Sequence, residues 1–227
     1  MLPTFLKASN CDDNAVVVAA MPALARRTTA EWLPFVLTTW LLLLAASAFD
    51  HLTISGLPQR GNPDAHSSVS MLAFGGEAAF RAVFCGVSQV FLIGNVVTGW
   101  IFLAALLVNS VWAAVFALAG SLLAVAVALA LGADSLAIAA GLFGFSPVLT
   151  AIAVGAVFYA PQPRVVVYTA AATIFTVIVQ AAFNVAFLPI GIPTLTAPFV
   201  AVAWLFLLPR RDFTPTVVLL FGVRTPL

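Results

Sequence analysis

The chain has 227 residues, of which 63% are hydrophobic and 7% charged, and its formal net charge is +1. Soluble globular proteins are about 45–50% apolar and about 25% charged. The shortage of polar surface excludes a cytosolic enzyme, a nucleic-acid binder and a disordered tail, and the near-zero charge gives no steering field for acidic partners. Cys11 and Cys85 are far apart and form no CxxC pair, so neither a disulfide framework nor a zinc site is expected.

The charged residues are unevenly spread. No Asp, Glu, Lys or Arg falls in 82–133, 135–163 or 165–209, stretches of 52, 29 and 45 residues, and 32–49 adds another 18. A transmembrane helix needs about 20 apolar residues, so the pattern predicts an all-α polytopic membrane protein. Residues 1–14 hold no long apolar run, and the run at 15–25 ends at Arg26-Arg27, so no secretory leader is expected.

In chain order, the first predicted span is 32–49. A polar linker at 50–70 carries Asp50, His51, Arg60, Pro63, Asp64 and His66; the two histidines have no ligand spacing, and no metal or cofactor is expected. A helix over 71–93 places Glu77 and Arg81 on one face, and its apolar end is too short to cross. Further spans are predicted near 98–118, 120–133, 147–160, 165–189 and 194–208, before a tail from 210 to 227. Asp134, alone between two charge-free stretches, reads as a helix-end residue. Gln180 and Asn184, four apart, read as groups bonding across helices. Two segments break the simple pattern: GVSQVFLIGNVVTG (86–99) and GLFGFSPVL (141–149). Irregular backbone at membrane depth is tolerated only inside protein or along a cavity, and such breaks point to a transport site.

An internal repeat is also present. LPFVLTTWLLLLA (33–45) and APFVAVAWLFLLP (197–209) match at seven of thirteen positions with an offset of 164, including Pro34/Pro198, Phe35/Phe199, Val36/Val200 and Trp40/Trp204. Repeats in membrane proteins signal two related halves with a site between them. At this offset the counterparts of Gln89 and Phe145 fall before residue 1. Either the first half is truncated or the chain pairs with itself to supply it; the expected organisation is a remnant of a first repeat (1–49), the linker (50–70), a near-complete second repeat (71–209) and the tail.

Residues 80–209 resemble the second half of the urea transporter family. The resemblance lies in GVSQVFLIGNVVTGWIFLAALLVNS (86–110), AGSLLAVAVALALG (119–132), GLFGFSPVLTAIAVGAVF (141–158) and GIPTLTAPFVAVAWLFLL (191–208). Residues 33–45 look like the last helix of the family's first half. The resemblance implies two oppositely oriented helix bundles with re-entrant pore segments, a pore between them, assembly as trimers in the cell membrane, and passive, channel-like passage of urea. That chemistry is physically reasonable. Urea is small and uncharged, and leaving its polar groups unpaired in hydrocarbon costs several kcal/mol. A pore must replace the lost water without holding the solute tightly.

The resemblance also implies roles for single residues. Gln89 matches the pore-entrance Gln, and Leu92 a bulky wall position. Asn95 matches a structural turn Asn, followed here by Val96 where the family commonly has Pro. Phe145 and Leu149 match apolar lining positions and share a helical face; Ser146 stands where the family usually has Asn. Thr196 matches the mid-pore Thr and equally suits an N-cap before Pro198; Phe199 follows in the same Thr-x-Pro-Phe motif. The first-repeat counterpart of Thr196 is Trp32, either an obstruction of the pore or an interfacial anchor. Arg26-Arg27 and Arg210-Arg211 favour a cytoplasmic start for 33–49 and a cytoplasmic end for 194–208. Three other readings stay open: a truncated, non-conducting remnant, a channel for another small neutral amide, and a membrane-embedded enzyme. The last lacks any nucleophile, base and acid set.

Overall fold

The computed structural model describes residues 33–45 and 75–207. Among them the regular elements are helical: α1 (Leu33–Ala45), α2 (Gly76–Ser88), α3 (Val96–Asn109), α4 (Val111–Ala130), α5 (Ser135–Ala139), α6 (Phe145–Ile152), α7 (Pro163–Phe187) and α8 (Ala197–Leu207). Two of the described helices, α4 and α7, are long and apolar enough to cross a membrane, with 20 and 25 residues. A third span arises if Gly76–Phe91 and Val96–Asn109, bent by 69° at their junction, count as one.

The bend lies inside 86–99, as the Gly- and Asn-containing sequence leads one to expect. A 3-10 turn over Gln89–Phe91 extends α2 and ends at Leu92, whose φ of 58° is left-handed. Asn95 starts α3 by accepting from the Val97 amide at 2.8 Å. Ser88, fully buried, holds the two sides together: its hydroxyl donates to the Cys85 carbonyl at 2.9 Å and accepts from the Asn95 amide at 3.2 Å.

The predicted boundary between spans 98–118 and 120–133 is corrected. The break falls at Ser110, which is extended (φ −159°, ψ 118°) and caps α4 by accepting from the Ala113 amide at 3.3 Å. Gly120 lies inside α4 and serves packing; a Cβ there would meet Ala151 Cβ at 2.6 Å. The buried face of α4 is a stripe of small residues, Ala113, Ala117, Gly120, Ser121, Ala124 and Ala128, the composition that lets membrane helices approach closely. Accordingly α4 sits at the centre, packed against α2, α3, α6 and α7. Ser121 adds a hydroxyl bond to the Val83 carbonyl of α2 at 2.6 Å.

The second irregular segment is a tight turn followed by a helix. Asp134 caps α5 from the amides of Leu136 and Ala137, as its position suggests. Gly141 then takes a φ of +78°, where a side chain would be strained. Gly144 meets α2 directly: a Cβ on it would lie 2.5 Å from Gly86 Cα. Helix α6 follows and runs on through one wide π-type turn, Ala153–Phe158. Pro163 opens α7 at a first-turn position, where its missing N–H costs nothing.

The core is built from three clusters. One joins the wide turn, α7 and α8 through Val154, Tyr159, Val165, Phe199 and Val200. A second joins α2, α4, α5 and α7 through Val83, Ala124, Ile138 and Val177. The third joins α2, α3, α4 and α6 through Phe84, Val87, Leu103 and Val148. Helix α1 rests on the loop before α8: Trp40 Nε1 donates to the Pro193 carbonyl at 2.9 Å, and its ring lies 4.6 Å from that of Phe187.

Candidate functional site

Gln89 and Leu92 stand at the bend between α2 and α3. Gln89 is half-buried, and its Nε2 donates to the Ala140 carbonyl at 3.0 Å. That bond ties the bend to the turn that leads into α6. One amide proton and the carbonyl oxygen of the carboxamide make no protein hydrogen bond among the described residues. Leu92, left-handed at φ 58°, is 66% exposed.

Phe145 and Leu149 lie on one side of α6, and both are half-buried while Ser146, Pro147, Val148 and Thr150 are buried. The helical pairing expected from their four-residue spacing is therefore present. Leu149 packs against the cluster that holds Phe199. Phe199 itself is buried to 6% within that cluster. The structure thus places Leu149 and Phe199 in or against one apolar cluster and Gln89 beside Ala140, five residues before Phe145. Trp32 lies outside the described residues, as do His51 and His66.

Thr196 is 4% exposed, and its hydroxyl has no hydrogen-bond partner among the described residues. It does not cap α8 through its side chain. Its carbonyl instead accepts from the Val200 amide at 3.0 Å. Of the two readings of this threonine in the sequence, side-chain capping is absent, and a buried hydroxyl is left open.

The bonding of Gln180 and Asn184 differs from the expected link between helices. Gln180 Nε2 donates to Asn184 Oδ1 within α7, at 3.1 Å, and to Thr194 Oγ1 in the loop before α8, at 2.8 Å. Thr194 Oγ1 in turn lies 3.3 Å from Asn184 Oδ1.

Sequence reasoning missed a polar stripe. Thr169, Thr173, Thr176 and Gln180 are all buried on α7, at increments of 4, 3 and 4. Thr176 Oγ1 lies 3.0 Å from Thr150 Oγ1 of α6, linking the two helices. Thr150, Thr173 and Thr176 also bond to the carbonyls of Ser146, Thr169 and Ala172 one turn back, which satisfies a hydroxyl inside an apolar bundle. The hydroxyls of Ser146 and Thr169 and the Oε1 of Gln180 have no partner among the described residues. The signal was available: polar residues recurring at helical period in an otherwise apolar segment mark one face. The described residues hold no group of three His, Cys, Asp or Glu side chains suited to a metal ion.

A broken span, apolar crossing helices and neutral hydrogen-bonding groups buried between them define a polytopic helical membrane protein. The urea transporter family profile matches residues 14–211, and the chain belongs to that family. The family is one of channels, not enzymes. Relatives include Urea transporter 1 of Ovis aries, 36% identical over 123 residues, which cover 54% of this chain and 32% of the sheep protein. Urea transporter 1 of Rattus norvegicus is 35% identical over the same shares. The match thus spans about a third of the length of these curated relatives.

Proposed function

We propose that this chain forms part of a passive, channel-like pathway for urea in the cell membrane. The observation that carries the reading is that the buried hydroxyl of Thr196 takes no partner among the described residues, while Gln89 keeps part of its carboxamide free at the bend between α2 and α3. Gln89 offers both a donor and an acceptor, and Thr196 a hydroxyl that does either. Phe145, Leu149, Leu92 and Phe199 supply apolar walls for a flat solute. Neutral groups of this kind replace part of the hydration of urea and still release it. Coupled transporters, by contrast, place ionisable side chains at membrane depth, and residues 82–133 and 165–209 contain no Asp, Glu, Lys or Arg.

In this reading residues 71–209 form one repeat, α1 is the last helix of the other, and the assembly is a trimer with one pathway per subunit. Stopped-flow light scattering on proteoliposomes tests the proposal. The chain as given raises urea flux above that of empty vesicles. Thr196→Val and Gln89→Leu lower it, each by about fivefold or more, the rate equivalent of one lost hydrogen bond. No flux above the empty vesicles refutes the reading. Equal flux of acetamide or formamide moves the substrate class to small neutral amides in general.

A further inference from the structure

Apart from Thr194, the buried threonines among the described residues fall into two sets. Thr150, Thr173 and Thr176 give their hydroxyls to carbonyls one turn back. Thr169 and Thr196 do not. Thr196 differs again in its setting, because it stands outside a helix at the end of a loop whose conformation is tightly prescribed. Leu195, immediately before it, has φ +50°, a region that L side chains other than Asn and Asp seldom adopt. Such a residue keeps its conformation only where its surroundings fix it.

The surroundings are on both sides. Thr194 is 7% exposed and is reached by two side chains of α7. Gln180 Nε2 donates to Thr194 Oγ1 at 2.8 Å and to Asn184 Oδ1 at 3.1 Å, and Thr194 Oγ1 completes the ring to Asn184 Oδ1 at 3.3 Å. Within the ring the donors and acceptors match: the amide uses its two protons, the hydroxyl accepts one and donates its own, and the Asn oxygen accepts both remaining bonds; Gln180 Oε1 lies outside the ring, buried and without a partner among the described residues. The Thr194 carbonyl accepts from the Ala197 amide at 3.3 Å. One residue earlier, the Pro193 carbonyl is held by Trp40. Pro193 and Thr194 are thereby held, and the turn through Leu195 to Thr196 starts from a fixed base.

We infer that Gln180, Asn184 and Thr194 form a positioning clamp that holds the Leu195–Thr196 turn and so places the Thr196 hydroxyl toward the urea pathway. The inference rests on the reading of Thr196 as a pathway residue. The three clamp residues are positioning residues and do not touch the solute. The ring geometry explains why a carboxamide, rather than a smaller hydroxyl, stands at the end of the α7 stripe: only a group with two protons serves both Thr194 and Asn184.

The test uses the full chain in proteoliposomes with two readouts. The first is urea flux for Thr194→Val, Thr194→Ser, Gln180→Met and the milder Gln180→Asn, which keeps an amide but shortens its reach. The second is the rate at which a small neutral methanethiosulfonate modifies the thiol introduced by Thr196→Cys in each background. The parent chain, with Cys11 and the buried Cys85, gives the blank. Thr194→Val, Gln180→Met and Gln180→Asn lower flux about fivefold, as for one lost hydrogen bond, and change the thiol rate at least about threefold. Thr194→Ser preserves both, because the hydroxyl is kept. Equal thiol rates in all backgrounds, including equally inert thiols, overturn the clamp, and so does Thr194→Ser behaving as Thr194→Val. If the parent chain shows no urea flux, the transport reading fails, and the thiol rates still decide whether the clamp places residue 196.

Discussion

Replacing Gly144 by alanine adds one methyl group where α6 begins and where it meets α2. Gly144 has φ −84° and ψ −30°, so alanine incurs no backbone penalty and the effect is purely steric. The added Cβ would lie 2.5 Å from Gly86 Cα, 3.2 Å from the Gly86 carbonyl carbon and 3.3 Å from the Gly141 oxygen. All three neighbours are backbone atoms, so no side chain can rotate away. Ordinary carbon contacts are about 3.5–4.0 Å, and the two segments must part by about 1 Å to reach that range. Overpacking of this kind costs about 1–3 kcal/mol, equivalent to an apparent melting decrease of about 2–12 °C in a protein of this size. The Gln89 bond to Ala140, now 3.0 Å, spans the same junction and would stretch beyond hydrogen-bonding range. Gly76→Ala is the control: it lies in the first turn of α2 with nothing within 4 Å of its built Cβ, and alanine there is neutral or stabilising by about 0.5–1 kcal/mol. Detergent-solubilised melting followed by tryptophan fluorescence, together with proteoliposome urea flux, measures both effects. A Gly144→Ala protein that melts and conducts as the parent does refutes the argument that backbone contact sets this junction.

Other consequences follow from the same structure. After an alkaline carbonate wash the chain stays with the membrane pellet, and recovery in the supernatant contradicts the assignment of α4 and α7 as crossing helices. Urea flux is independent of sodium, of an imposed pH gradient and of voltage, since the solute is neutral and the crossing helices place no acidic side chain at membrane depth; a gradient-driven flux in liposomes contradicts it. Tyr168→Phe removes a hydroxyl bond of 2.7 Å to the Phe206 carbonyl, but Tyr159 still reaches that carbonyl at 3.3 Å. The melting point therefore drops by only about 2–4 °C, as for about 1 kcal/mol, with urea flux unchanged.

Much of this architecture was legible because membrane helices declare themselves by what they lack. The charge-free stretches located α7 and marked 82–133 as membrane-embedded, though they divided α4 between two predicted spans, and the Gly- and Asn-containing segment 86–99 marked the bend. The break at Ser110 was not legible, and the predicted boundary fell near residue 119 instead. One serine can end and restart a helix by capping, while a glycine inside a helix can serve close packing. The spacing of Phe145 and Leu149 read correctly as one helical face. The roles of Thr194 and Gln180 did not, since their bond closes only when the loop folds back on α7, and the hold of Trp40 on Pro193 spans 153 positions. No local pattern encodes such long-range contacts. For Thr196 the sequence offered two readings, and only coordinates could show that its hydroxyl takes no capping bond.

The wide turn at Ala153–Phe158 carries one residue more per loop than the helix it extends, since its bonds run from i to i+5. Phe116 fills the space beside it: a Cβ on Gly155 would lie 2.5 Å from that ring. The turn therefore acts as a phase shifter between the two ends of one helix. Each residue of a regular helix advances the side-chain direction by about 100°, so deleting one residue within 146–148 would swing Phe145 and Leu149 out of their shared face. Deleting one residue within 153–158 has a different outcome, because it converts the wide turn into an ordinary one. The lining face before the turn keeps its direction, and the change in length is taken up where the helix is already out of step.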